Sequence, residues 1–108
     1  MALVLVVDDV SALAEQYAYD LKRVGGYETR TAAGGREALD VIAWNPVDCV
    51  ILDLEMPGVD GFGVLRELQK QGLDIPVIVY TGTGSYDRCV QAIKLGAYSF
   101  IDKDEPME

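Results

Sequence analysis

The feature that most constrains this chain is the alternation of short, wholly apolar runs with stretches of helical periodicity. Leu3 to Val7 is apolar at every position, which is typical of a strand buried on both faces of a sheet. Asp48 to Asp53 and Ile75 to Thr81 are predicted to be two further buried strands. Because strands alternate with helices, we expect a doubly wound α/β fold, with right-handed crossovers and helices on both faces of a parallel sheet.

Glycines, prolines and capping residues set the other expected elements. Ser11 and Asp60 are expected to cap the first and third helices. The mostly polar run Tyr27 to Thr31 is predicted to be an edge strand, and Tyr98 to Asp102 is predicted to be a fifth strand. The four predicted helices are Ser11 to about Val24, Gly34 to Trp44, Asp60 to Gly72 and Tyr86 to Gly96. The apolar stripe expected on the fourth helix is Tyr86, Cys89, Val90 and Ile93.

Composition excludes several classes of function. The chain has 108 residues, enough for one domain, and carries 18 acidic against 9 basic side chains, a net charge of −9. This balance argues against direct binding of nucleic acid or of an anionic membrane. The absence of histidine excludes Ser-His-Asp catalysis, histidine-ligated zinc and a phosphohistidine on this chain. With no long apolar run and no basic leader before Leu3, we expect a cytoplasmic protein.

Polar side chains stand where four of the predicted strands end. They are Asp8, Asp9, Asp53, Thr81, Asp102 and Lys103. One acidic residue after a strand is most often a turn or a helix cap, so only the convergence of several at one edge of the sheet points to a site. Three close carboxylates repel one another unless a cation lies among them, and an all-oxygen ligand set suits Mg²⁺. Such a metal beside a carboxylate, a hydroxyl and an ammonium group would suit phosphoryl transfer.

Four sequence blocks carry a resemblance to a known family. They are V-V-D-D-V at the end of the first strand, I-L-D-L-E-M-P-G-V-D-G at 51–61, V-Y-T-G at 79–82 and L-G-A-Y-S-F-I-D-K at 95–103. In these blocks the chain resembles the response-regulator receiver domains of two-component signalling, including the single-domain chemotaxis regulators. The resemblance covers essentially the whole chain. It implies a five-stranded sheet in the flavodoxin-like order 2-1-3-4-5.

The resemblance also implies a phosphoacceptor and a metal site. Asp53 would accept a phosphoryl group from a phosphohistidine of a sensor histidine kinase or a phosphotransfer protein. Asp9, Asp53 and the backbone carbonyl of Glu55 would hold Mg²⁺, with Asp8 acting mainly through water.

A second set of implied roles concerns the phosphoryl group and the switch. The Thr81 hydroxyl, the Gly82 amide and the Lys103 ammonium group would contact the phosphoryl oxygens. Phe100 would be the aromatic side chain that swings inward when Thr81 moves. The partners implied are the kinase and an output domain or downstream target. A second copy of the chain in a homodimer is a further expected partner, because without a helix after the fifth strand an apolar face of the sheet would be left uncovered.

The sequence departs from the family pattern in three places. Many receivers have Lys-Pro where this chain has Lys103-Asp104, and a cis bond before a residue other than proline costs about 2.5–4 kcal/mol, so we expect a trans or a strained bond. Glu55 and Thr83 occupy positions that tune dephosphorylation in the family. Residues 1–108 are expected to form the receiver domain. The family's fifth helix is expected to be missing, and we expect that the chain is truncated at the C-terminus.

Two other classes of function are alternatives to a phosphoacceptor switch. A degenerate receiver would act only as an interaction module. The presence of all the expected functional residues argues against this alternative: Asp8, Asp9, Asp53, Thr81 and Lys103. An enzyme such as a flavodoxin or a haloacid-dehalogenase-type phosphatase is the other class. In a flavodoxin the acidic pair Asp8-Asp9 would repel the cofactor phosphate, and in the phosphatase Val10 stands where a second aspartate is needed.

Overall fold

Five strands and four helices alternate along the part of the chain that the structure describes. The structure is a computed structural model that describes residues 2–81 and 86–102, with the backbone alone at positions 81, 86, 89 and 102. The elements are β1 (Leu3–Val7), α1 (Ser11–Gly25), β2 (Glu28–Ala32), α2 (Gly35–Trp44), β3 (Cys49–Asp53), α3 (Gly61–Lys70), β4 (Val77–Thr81), α4 (Tyr86–Lys94) and β5 (Ser99–Asp102). Within these ranges no helix combines the length and apolarity needed to span a membrane.

The strands form one parallel sheet in the order β2-β1-β3-β4-β5. Strand β1 lies between β2 and β3, and all five of its residues are buried, as its wholly apolar sequence predicts. Strand β2 lies at one edge and leaves Glu28, Arg30 and Thr31 exposed. The doubly wound fold, the strand order and the edge position of β2 predicted from the sequence are therefore confirmed.

Two apolar clusters pack on the two faces of the sheet. The larger joins alternate residues of β1, β3 and β4 to α2, α3 and α4, and includes Leu5, Leu52, Val79, Leu65 and Ala92. The smaller joins Val6 of β1 to Ala14 and Ala18 of α1. Because side chains alternate along a strand, neighbouring residues of β1 serve different clusters.

The face that carries α1 is covered unevenly in the described part of the chain. Ile51 and Ile78 are half-buried there, and Ile101 of β5 is 42% exposed. On the opposite face Val50 and Val79 are fully buried beneath helices. Four helices cover the sheet over the described ranges.

Two local expectations were wrong. Ser11 does not cap α1: it is the first helical residue, and Val10 is the N-cap residue with no side-chain hydrogen bond to the helix. The Asp8 carboxylate instead accepts the Val10 N–H at 2.9 Å, and this turn sets where the helix begins. Ile93 is 54% exposed, because α4 packs on the core through the fully buried Ala92, whose small side chain allows close approach. The Asp60 cap of α3 is confirmed by the hydrogen bond that its carboxylate accepts from the Gly63 N–H.

Candidate functional site

Three carboxylates meet at the carboxyl edge of the two central strands. Asp8 follows the last residue of β1, Asp53 is the last residue of β3, and the pairing of Val7 with Leu52 brings these two side by side. One carboxylate oxygen each from Asp8, Asp9 and Asp53 lies within 4.8 Å of the others. Asp8 is fully buried and Asp53 is 5% exposed, whereas Asp9 faces solvent. We call this group the acidic pocket.

Backbone and side-chain donors orient the two buried carboxylates. Asp8 accepts the Val10 N–H at Oδ1 and the Tyr80 O–H at Oδ2, at 2.9 and 2.6 Å. Asp53 accepts the Glu55 N–H at Oδ1, at 3.2 Å. Such donors offset part of the desolvation that a buried carboxylate suffers, so the strand ends hold the acidic groups in fixed orientations.

Tyr80 is a contact of the pocket that sequence reasoning missed. Burial raises the pKa of its hydroxyl above the ordinary range, and the hydrogen bond to Asp8 and the negative charges of Asp8 and Asp53 raise it further. The group therefore stays protonated and acts as a donor at neutral pH. A signal was available, because a tyrosine directly before Thr81 interrupts an otherwise aliphatic buried strand.

Arg88 of α4 reaches the loop that follows β3. Its guanidinium group donates to the Glu55 carboxylate in an ion pair. The same group lies over the Phe62 ring, 5.6 Å from its centre. The sequence singled out Glu55 but not Arg88, which lies 33 positions further along the chain.

The start of α3 passes very close to the end of β3. A Cβ atom on Gly61 would lie 2.5 Å from the Asp53 carbonyl oxygen and 2.7 Å from the Leu54 Cα. The Gly61 N–H donates to the Leu54 carbonyl at 3.2 Å, and the Met56 side chain of the loop between β3 and α3 is buried. This approach is open only to glycine, which is the physical reason for the glycine at the start of α3.

The other expected site residues are only partly covered by the structure. Thr81 ends β4 and pairs with Asp102 of β5, so its backbone lies at the same edge of the sheet. The Thr81 side chain, Gly82 and Lys103 lie outside the described residues, as does the bond between Lys103 and Asp104. Phe100 is half-buried and packs against the larger apolar cluster.

The acidic pocket has the donor set of a cation site. Its ligand atoms are carboxylate oxygens, which hard divalent cations prefer. Two of the three carboxylates are buried, so their mutual repulsion is poorly screened by water. These residues could therefore hold a divalent metal ion.

The fold and the pocket together define a class of protein: doubly wound α/β domains with an acidic pocket at the carboxyl edge of the sheet. Residues 4–108 match the family of response regulator receiver domains, and the chain belongs to that family. The expected family is thereby confirmed.

Relatives and solved structures agree with this assignment. A response regulator of Rickettsia typhi described as NtrX-like is 40% identical over 102 residues, which are 93% of this chain and 21% of that protein. The receiver domain of the Francisella response regulator 1452 superposes with a TM-score of 0.91 at 30% identity, covering 98% of this chain and 87% of that one. The chain thus spans about a fifth of its NtrX-like relative, whose remaining length has no counterpart in these 108 residues.

A third similar structure bears on the chemistry. It is a response regulator of Burkholderia pseudomallei with a phosphorylated aspartic acid, a calcium ion and citrate. It is 29% identical, with a TM-score of 0.88, and the match covers 98% of this chain and 62% of that one.

Proposed function

We propose that Asp53 is the phosphoacceptor of a signalling switch and that it takes a phosphoryl group from a phosphohistidine of a partner protein in the presence of Mg²⁺. The observation that carries the proposal is the position of the Asp53 carboxylate. It ends a central strand, belongs to the acidic pocket and is oriented by the Glu55 N–H. The phosphorylated aspartic acid of the similar Burkholderia structure supports the same chemistry.

In the proposed transfer a carboxylate oxygen of Asp53 attacks phosphorus in line with the leaving imidazole nitrogen. A P–O bond forms, the P–N bond breaks, and its electron pair returns to the imidazole ring of the partner. Asp9, Asp53 and the Glu55 carbonyl would hold Mg²⁺ directly and Asp8 would hold it through water. The ion would supply neutralisation of charge on the phosphoryl oxygens.

The remaining proposed roles belong to the residues around the acceptor. The Thr81 hydroxyl and the Gly82 amide would donate hydrogen bonds to the phosphoryl oxygens, and Lys103 would pair with them. Movement of Thr81 would open space for Phe100, which already packs at the edge of the core. The altered surface would then control an output domain, a downstream target or a second copy of the chain in a homodimer.

The setting of this reaction follows from the family. A sensor histidine kinase or a phosphotransfer protein is the proposed donor, and we place the domain in the cytoplasm with such partners. With 18 acidic and 9 basic residues, the domain would not bind nucleic acid by itself.

Labelling with a small phosphodonor tests the proposal. The chain is incubated with acetyl phosphate and MgCl₂, and the modified residue is located by mass spectrometry after reductive trapping. We expect one phosphoryl group on Asp53 and none on Asp53→Asn. The control is Asp60→Asn, which also removes one carboxylate near α3 but keeps a good helix cap. Label on Asp8 or Asp9, or label that persists in Asp53→Asn, would contradict the proposal.

A further inference from the structure

Tyr80 joins the fourth strand to the deepest carboxylate of the acidic pocket. Its hydroxyl donates to Asp8 Oδ2 at 2.6 Å, and both residues are buried. The two lie 72 positions apart in the sequence. A hydrogen bond donated to a buried carboxylate stabilises the fold more than a hydrogen bond between neutral groups does, because without it the buried charge would have one donor fewer.

The register of the sheet places Tyr80 where it can act on the pocket. Tyr80 pairs with Asp53 across β3 and β4, and side chains of paired residues in a sheet point to the same face. Asp8 lies beside Asp53 on that face, so Asp8, Asp53 and Tyr80 form a row across three strands. The Tyr80 hydroxyl is therefore directed along the row, toward the carboxylate that lies furthest from solvent.

The ring of Tyr80 is held from the other side by α1. The Tyr17 ring meets it edge to face, with ring centres 5.1 Å apart and an angle of 68° between the planes. Aromatic pairs prefer this arrangement, so the ring has a defined orientation against the helix. The hydroxyl position is thus fixed by packing.

A simpler account would make Tyr80 a space-filling core residue. Apolar side chains such as Val79 fill neighbouring buried positions of the same strand without any polar group. A phenol hydroxyl at this depth would carry a desolvation cost unless it met a partner, and the partner it meets is a carboxylate of the pocket. The geometry points to a role for the hydroxyl itself.

We propose that Tyr80 is a positioning residue, whose hydroxyl, together with the Val10 N–H, holds Asp8 in the orientation that Mg²⁺ binding requires. This inference rests on the proposed function, because Asp8 matters to the metal only if the acidic pocket binds one. Tyr80 makes no contact with the phosphoryl group in this account. Its effect passes entirely through Asp8.

Removing the hydroxyl while keeping the ring tests the idea. Binding of MgCl₂ to the whole chain is measured by calorimetry for the wild type and for Tyr80→Phe. Loss of a group that orients a metal-binding carboxylate typically weakens binding, so we expect the Kd of Tyr80→Phe to rise by about tenfold. The matched control is Tyr17→Phe, which removes a hydroxyl from the other ring of the pair and should leave the Kd unchanged.

A double-mutant cycle separates action through Asp8 from a general effect. In an Asp8→Asn background the metal affinity is already reduced, and adding Tyr80→Phe should weaken it no further. An equal loss in both backgrounds would overturn the proposal. So would an unchanged Kd in Tyr80→Phe, or a lower one, because a lower Kd would mean that the hydroxyl competes with the ion for Asp8.

Circular dichroism and melting curves accompany each titration. Should Tyr80→Phe be unfolded without metal and remain so in MgCl₂, its role is structural and the proposal fails. Should the wild-type chain itself not bind MgCl₂, the proposed function fails together with this inference. A wild type that binds Mg²⁺ and is phosphorylated, beside a Tyr80→Phe variant with the same Kd, overturns the role of Tyr80 alone.

Discussion

Substituting alanine for Gly61 should destabilise the fold beside Asp53, the proposed acceptor. The added Cβ would lie 2.5 Å from the Asp53 carbonyl oxygen and 2.7 Å from the Leu54 Cα. Favourable contacts between non-bonded heavy atoms lie near 3.5–4.0 Å, so α3 and the end of β3 would have to separate by about 1 Å. Both atoms belong to the backbone, so the contact cannot be relieved by turning a side chain.

The magnitude follows from two opposing effects. Overpacking of a buried site costs about 1–3 kcal/mol, and a clash with two backbone atoms belongs to the upper half of that range, while alanine in place of glycine in a helix gains at most about 1 kcal/mol. We therefore expect Gly61→Ala to lower the free energy of unfolding by about 1–2 kcal/mol, a large part of the roughly 5–15 kcal/mol typical of a domain. In a domain of this size each kcal/mol shifts the melting temperature by about 4–8 °C.

Gly63 in the same helix is the matched control. A Cβ there would meet the Val59 Cγ1 at 3.0 Å and the Asp60 Oδ1 at 3.6 Å, both side-chain atoms. Because Val59 is only half-buried and its side chain can adjust, we expect Gly63→Ala to be near neutral. Urea denaturation of both variants measures the difference. Equal stability of Gly61→Ala and the wild type would refute the reasoning, as would an equal loss in both variants.

Gly61→Ala should also slow phosphorylation of the folded protein. The clash acts on the backbone carbonyl of Asp53, the proposed acceptor, and a displacement of about 1 Å at a reacting group can cost on the order of 100-fold in rate. Acetyl phosphate labelling at a temperature where the variant is folded gives the rate. A variant that is destabilised but labelled at the wild-type rate would show that Asp53 keeps its position despite the strain.

Three further outcomes are expected. Mg²⁺ at 100 times its Kd should stabilise the fold by about 2.7 kcal/mol and so raise the melting temperature, and Asp9→Ala should abolish most of the rise. A melting temperature that does not change with MgCl₂ in either protein would count against the metal site. Reversing the charge of either Glu55 or Arg88 should lower the free energy of unfolding by less than about 1 kcal/mol, since both side chains are partly exposed. Reversing both charges should restore the free energy of unfolding measured in urea, and a double variant no more stable than the single variants would contradict the ion pair. Thr81→Ala should be phosphorylated yet bind its downstream partner no more tightly than the unphosphorylated form does, and an unchanged gain in affinity would show that the switch does not depend on this hydroxyl.

The architecture of the sheet could be predicted from the local pattern of apolar and polar residues. The wholly apolar β1 specified a strand buried on both faces, and the polar β2 specified an edge. Parallel strands have their carboxyl ends at one edge of the sheet, so the positions of Asp8 and Asp53 after their strands place both residues at that edge. That β1 and β3 are neighbours, which brings the two carboxylates together, was implied by the family resemblance and is seen in the structure. The Asp60 cap was predictable for a similar reason, because its hydrogen bond spans only three residues.

Predictions from local patterns were wrong where tertiary packing decided between two adjacent residues. Val10 rather than Ser11 precedes the first helical turn, because the Asp8 carboxylate takes up the Val10 N–H. Ala92 rather than Ile93 faces the core, because the approach of α4 to the sheet sets which side of the helix is buried. Each choice depends on atoms outside the segment, which a periodic pattern does not contain.

By itself, then, the sequence determined the alternation of strands and helices, which strands are buried and which lies at an edge, and the acidic character of one edge of the sheet. Tertiary structure alone decided which distant side chains meet: Tyr80 reaches Asp8 across 72 positions, and Arg88 reaches Glu55 across 33. The reason is physical. Secondary structure depends on hydrogen bonds and side-chain spacing within a few residues, whereas a contact between distant side chains depends on sheet register and on the distance at which helices pack.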